Sequence, residues 1–178
     1  NSAEQSVIFF HYGSYGRTIS EAELTGFTIR GGTGTKVTET CKGETIAKYV
    51  GAGIFALNSF PIITNNKIVS NGHNGHNGHN ATSSAGAVFN MSDDDVEFRQ
   101  SSNRNVPIEY DCSSTSSPDA DVRILDLSNN EFKDNYAHYG KSIVIEDNVG
   151  QTRVLVDSSH FDVFSVAHEK YPAIGPLE

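Results

Sequence analysis

The sequence predicts an all-β protein wound as a coiled solenoid, and three observations carry that expectation. A short phrase recurs without a fixed period: Ile63-Thr64-Asn65-Asn66-Lys67-Ile68 returns as Leu127-Ser128-Asn129-Asn130-Glu131-Phe132, with looser copies at Leu24–Ile29 and Val156–Phe161. Each copy is an apolar strand end, two or three small polar residues, and an apolar strand start. A second phrase, Gly51-Ala52-Gly53-Ile54-Phe55-Ala56-Leu57-Asn58-Ser59, is echoed by Ala85-Gly86-Ala87-Val88-Phe89-Asn90-Met91-Ser92 and by Tyr139–Asp147. Finally, no window carries a long apolar stripe at helical spacing. Glu44–Val50 is the nearest approach, a turn or two at most.

Each part of the repeat has a physical reason. The glycine-led segments alternate as strands do, with Ile, Val, Leu and Phe at the positions that must face a core. The strand leading into the Asn-containing turn is Pro61-Ile62-Ile63 in one coil, Val96-Glu97-Phe98 in the next and Arg153–Val156 in the last. Gly-strand, turn, strand, Asn/Ser turn, strand is then one coil of a three-sided winding. Turn positions there need left-handed backbone, which Asn and Gly adopt cheaply. An Asn amide at such a turn can also donate to the rung beside it, so Asn65 and Asn129 read as structural. Stacked coils of this kind need about 20–25 residues each, and the step from Gly53 to Gly86 is longer. The excess falls in insertions, at Thr33–Lys48, Gly72–Ser84 and Asp111–Asp121, on about four to five coils in all. Ala167–Glu178, with two Pro and one Gly, reads as a cap or an extended tail.

Length and charge narrow the classes of function. The 178 residues fit one domain, large enough to bury a core. A formal charge of −9 lacks the basic stripe that nucleic acid or an anionic membrane surface requires. No apolar run approaches the ~20 residues of a membrane span. There is no signal-peptide pattern and no initiator Met, as expected of a mature product or a piece of a longer polypeptide. Cys41 and Cys112 sit in two of the polar, strand-poor insertions. If the protein is secreted, a disulfide joining those loops is the expected state, and the chain-entropy argument gives a closed loop of that size about 4 kcal/mol. Two unpaired thiols are the alternative, and no CxxC spacing suggests a metal site.

The pattern also resembles a known family. Ser6–Phe10, then Leu24–Gly32, and most closely Gly51–Ile68 with its Asn58-Ser59-Phe60-Pro61 and Ile63-Thr64-Asn65-Asn66 wording, are similar to secreted right-handed parallel β-helix domains. These are pectate-lyase-like in fold and common in bacterial surface and extracellular polypeptides. The resemblance covers residues 6–72 well and 86–165 diffusely. It implies a right-handed parallel β-helix and an extracellular setting. It says little about activity, because such folds carry lyases, epimerases, adhesins and proteins without known activity.

Several residues are candidates for chemistry. His73, His76 and His79, in a Gly-His-Asn triplet run, have ligand types suited to Zn or Cu, although a Gly-rich run is flexible and holds no acidic partner. Asp93, Asp94 and Asp95 form a carboxylate cluster that suits Ca²⁺. Lyases resembling this fold pair Ca²⁺ with a basic residue that abstracts a proton, which adds Asp126 and Arg123. Tyr12, Tyr15, Tyr136 and Tyr139 stand beside Gly or polar residues; they either stack on sugar rings or cap the core at coil corners. Asn80 and Asn90 begin N-glycosylation sequons.

No catalytic constellation stands out. The first expectation is therefore an extracellular structural, adhesive or glycan-associated module that needs no cofactor, with a polysaccharide or other cell-surface component as partner. A Ca²⁺-dependent polysaccharide lyase or epimerase acting on uronic-acid polymers is the second expectation. A self-associating filament subunit is the third, since open coil ends invite edge pairing.

Overall fold

The computed structural model of the chain describes residues 6–11, 22–41, 44–72, 82–84, 86–92, 108–111, 123–137, 141–147, 152–157 and 166–168. These residues are all-β, with no helix among them.

Three of the four sheets are entirely parallel. The first contains β1 (Ile8–His11), β6 (Ile54–Leu57), β10 (Val88–Ser92), β14 (Ile143–Asp147) and β16 (Val166–His168), in that spatial order. The second runs β2 (Glu23–Thr25), β7 (Ile62–Thr64), β12 (Arg123–Asp126), β15 (Thr152–Leu155). The third runs β3 (Thr28–Ile29), β8 (Lys67–Val69), β13 (Glu131–Lys133). Along the chain these strands alternate among the sheets in rotation: β1, β2, β3, then β6, β7, β8, then β10, β12, β13, then β14, β15. Each return lands beside the strand laid down one round earlier.

Register places like residues over like. Ile8, Ile54, Val88 and Ile143 form one column of the first sheet, and Phe10, Ala56, Asn90 and Ile145 the next inward column. Leu24 lies opposite Ile63, Leu125 opposite Val154, and Ile29, Ile68 and Phe132 align in the third sheet. These columns meet in one apolar core that also takes in Phe60 and Leu127. Nearly all its members are sealed from solvent. A fully buried aliphatic or aromatic side chain contributes about 1.5–3 kcal/mol, so the columns supply the main cohesive term.

Each turn between the second and third sheets carries a left-handed residue: Gly26 (φ 80°) and Asn65 (φ 58°) open the two-residue turns, and Asn129 (φ 57°) is the third of the four residues between β12 and β13. One or two residues past each third-sheet strand the device recurs, with Gly31 (φ 78°), Ser70 (φ 54°) and Asp134 (φ 55°). Five positive-φ positions that are not glycine occur among the described residues, and four of them are Asn or Asp, whose short side chains tolerate this conformation best.

The insertions differ from the sequence expectation. The segment read as polar and strand-poor folds into a hairpin, β4 (Thr35–Cys41) and β5 (Glu44–Val50), paired antiparallel from Thr35 opposite Val50 to Cys41 opposite Glu44. Its β-branched content (Thr35, Val37, Thr38, Thr40, Thr45, Ile46, Val50) favours extended backbone. Two further strands join it. β9 (Thr82–Ser84) pairs parallel with β5, and β11 (Ile108–Asp111) pairs parallel with β4. The fourth sheet is thus β11-β4-β5-β9, assembled from three segments far apart in the chain. A second correction concerns the strand after β10. The neighbour of β7 is Arg123–Asp126, with Asp126 opposite Ile62; Val96–Phe98 lies outside the described residues.

Candidate functional site

Asparagine ladders hold the corners that position every outward face. Asn66 Nδ2 donates to the Leu24 carbonyl at 2.8 Å and the Thr64 carbonyl at 2.9 Å, while its Oδ1 accepts from Phe27 N at 2.9 Å. Asn130 repeats this one rung on: its Oδ1 accepts from Asn66 N at 2.9 Å, and its Nδ2 donates to the Ile63 and Leu127 carbonyls. A second ladder runs Gly32–Asn71–Asn135. Gly32 N donates to Asn71 Oδ1 at 3.2 Å, Asn71 N to Asn135 Oδ1 at 3.1 Å, and the two amides donate back to the Ile29 and Ile68 carbonyls. Buried turn backbone groups are thereby satisfied without water, which is what lets corners this tight be buried.

The sequence reading expected Asn65 and Asn129 to carry the ladder. The structure divides the work: Asn65 and Asn129 supply left-handed backbone, and Asn66 and Asn130 are the buried ladder residues, only 2 % and 1 % exposed. The Asn71–Asn135 ladder was not anticipated. Its sequence signal is the repeat of Asn five places after each ladder Asn, at 66 and 71 and again at 130 and 135.

The three parallel sheets meet the outside differently. On the first, Phe55, Leu57, Phe89, Met91 and Val144 point away from the central core, yet are sealed by Val37 and Val50 of the hairpin in a second apolar cluster. Phe9 stacks on Phe55 at 5.0 Å between ring centroids, and Phe55 meets Phe89 edge-on at 5.6 Å. The third sheet is polar outside: Thr28, Arg30, Lys67 and Lys133 are exposed, and Lys67 Nζ lies 3.5 Å from a Glu131 carboxylate oxygen. The second sheet lacks an apolar cover among the described residues, and its outer face mixes polar with apolar side chains. Ile62, Ile124 and Leu155 are 43 %, 52 % and 46 % exposed on successive strands. Thr25, Thr64, Ser128 and Asp157 run along one side of them, with Glu23 and Arg153 also exposed on this face. Parallel sheets are normally covered on both sides. This face is accordingly the candidate interaction surface among the described residues.

The anticipated site residues fare unequally. Asp126 is committed locally: its Oδ1 accepts from Ser128 N at 2.9 Å and Ser128 Oγ at 2.6 Å, bracing the turn into Asn129. Arg123 belongs to β12, at the start of the strand. Tyr136 is half-buried at a corner, and its backbone N donates to the Asn71 carbonyl at 2.8 Å. A Cβ at Gly72 would fall on the Tyr136 carbonyl oxygen, so the chain passes this corner in backbone contact. His73, His76, His79, Asp93, Asp94, Asp95, Tyr12, Tyr15, Tyr139, Asn80 and Cys112 lie outside the described residues, and for Cys41 the described fact is its place at the end of β4. Among the described residues no group of three or more His, Cys, Asp or Glu is placed to hold a metal ion, and no helix is long and apolar enough to cross a membrane.

Asn90 requires a correction. Its side chain is fully buried in an inward column between Ala56 and Ile145, and Nδ2 donates to the Ser59 carbonyl at 2.8 Å. The nitrogen that a glycan would occupy is spent on clamping the Ser59 corner, and a sugar there is incompatible with this packing. Its Oδ1 has no partner.

Comparison of the chain with protein-family models, with curated proteins and with solved structures returns no match.

Proposed function

We propose that the chain is a non-catalytic extracellular module, structural, adhesive or glycan-associated, built as a right-handed parallel β-helix whose three faces are the three parallel sheets. The rotation of strands among the sheets and the repeated corners support the winding. The right hand follows from the strong preference of parallel strand–crossover–strand connections for that sense. The observation that carries the functional reading is the uncovered outer face of the second sheet, where exposed Ile62, Ile124 and Leu155 are interleaved with Glu23, Asp126 and Arg153. A flat face that leaves large apolar side chains in solvent among polar ones suits recognition of a partner with both characters. The Asp126 carboxylate on this face is engaged by Ser128. The partner is a polysaccharide or another cell-surface component, and no cofactor is required.

Incubation with acidic and neutral polysaccharides, with and without Ca²⁺, tests this reading. Retention of protein without new unsaturated or shortened products is the expected result. Ca²⁺-dependent products would replace it with the lyase or epimerase alternative.

A second reading, self-assembly into filaments, is favoured by one observation. β1, β2 and β3 are each the terminal strand of their sheet, and Val7, Phe9 and Phe27 beside them are 46 %, 40 % and 57 % exposed. Open strand edges with apolar neighbours pair readily with further strands. Concentration-dependent filaments in electron micrographs are its expected sign; a monomer at every concentration removes it.

A further inference from the structure

The fourth sheet brings two distant segments into register at an informative place. β4 and β11 pair in parallel, with Ile108 opposite Val37, Glu109 opposite Thr38, Tyr110 opposite Glu39 and Asp111 opposite Thr40. Thr40 and Asp111 are each the residue immediately before a cysteine, Cys41 and Cys112, and the chain has only these two. Neighbouring strands lie about 4.7–4.9 Å apart, and residues directly across from one another share a face. A disulfide needs Cα atoms about 4.4–6.8 Å apart. Cys112 lies outside the described residues; one further step of the same register would set it opposite Cys41, within that range.

We propose that Cys41 and Cys112 form a disulfide that clasps β11 to β4 and so closes the sheet covering the outer face of the first sheet. The inference stands on the register alone and does not depend on the proposed function. In forming the bond each thiol loses its proton and the pair loses two electrons. The acceptor is a small-molecule disulfide or a thiol–disulfide oxidoreductase, which takes up both and leaves as two thiols. Such a bond persists in an oxidising compartment and is opened in a reducing one. The stacked parallel sheets have their own register and asparagine ladders, none of which runs through either cysteine. Reduction therefore acts on the cover and leaves the stack in place.

The test uses the full chain, equilibrated with oxidised glutathione under native conditions, alkylated, and digested without reductant. The expected result is no alkylated cysteine and one peptide pair joining Cys41 to Cys112. After reduction both thiols alkylate, and hydrogen exchange of the β4 and β11 amides accelerates about tenfold or more while β6 and β10 amides stay protected. Separate glutathione adducts on the two cysteines, alkylation of both, or disulfide-linked dimers would overturn the pairing. Loss of protection in β6 and β10 on reduction would overturn the claim that the bond serves the cover. A Cys41→Ser, Cys112→Ser double variant that keeps β6 and β10 protected, but not β11, supports the assignment without any redox reagent; one with unaltered β11 exchange contradicts it.

Discussion

The first and second parallel sheets share an inner architecture and differ in what happens outside. Both feed the same central core, yet Phe55, Leu57, Phe89 and Met91 on the outer side of the first are sealed by Val37 and Val50, whereas Ile62, Ile124 and Leu155 on the second are left in solvent. The difference arises from the insertions. The hairpin enters between β3 and β6 and β9 between β8 and β10, so both leave the stack on the way into the first sheet. Connections from the second sheet to the third stay short where the ladder asparagines stand, two residues from β7 to β8 and four from β12 to β13. A repeated rung thus supplies the scaffold, and the corner at which extra chain enters decides which face is hidden.

The comparison is broken most severely by removing an aromatic that only the cover hides. Phe55→Ala should cost about 3–5 kcal/mol, because it opens a cavity between Phe9, Phe89 and the hairpin. Ile62→Ala, on the open face, should stay within about 0.5 kcal/mol. Equal costs in urea denaturation would mean that the two outer faces are alike after all.

The corners come next. Asn66→Ala leaves the Phe27 N–H and the Leu24 and Thr64 carbonyls without their side-chain partner, which should destabilise by about 2–4 kcal/mol. Asn65→Ala loses only left-handed tolerance and should cost about 1–2 kcal/mol, while Asn65→Gly should be close to neutral. Reversal of the Asn65 and Asn66 order in thermal unfolding would reassign the ladder.

Val37→Ala should cost about 1–2 kcal/mol and expose the Phe55–Met91 surface locally, measured as dye binding at a temperature where the chain is still folded. The smallest stability effect belongs to Ile62→Ser combined with Ile124→Ser. Each change should move stability by no more than about 0.5 kcal/mol, while the pair should weaken retention on a hydrophobic-interaction column. Unchanged retention would show that this strip is not the accessible apolar surface.

The stack was largely legible in the sequence, and the cover was not. Short left-handed turns force each rung to repeat its wording, so the pairings of Leu24 with Ile63 and of Ile68 with Phe132 follow from aligning the phrases. The cover depends on pairing between segments with no shared wording, β4 with β11 and β5 with β9, and on isolated valines at positions 37 and 50 rather than on a periodic stripe. The open face escaped for a related reason. Pro61-Ile62-Ile63 reads as one apolar cluster, although alternation sends Ile63 into the core and Ile62 out of it. The Asn90 sequon misled because Asn90-Met91-Ser92 is also a plain strand, and its polar first residue happens to face inward.

Met91 is the chain's single methionine, and it lies wholly beneath the cover on the outer side of the first sheet. Peroxide oxidation of the native protein, followed by mass spectrometry, therefore reads one site. The account expects Met91 to resist oxidation in the folded chain and to react at the rate of a free methionine once denatured. Rapid oxidation of Met91 in the native protein would contradict the covered first sheet.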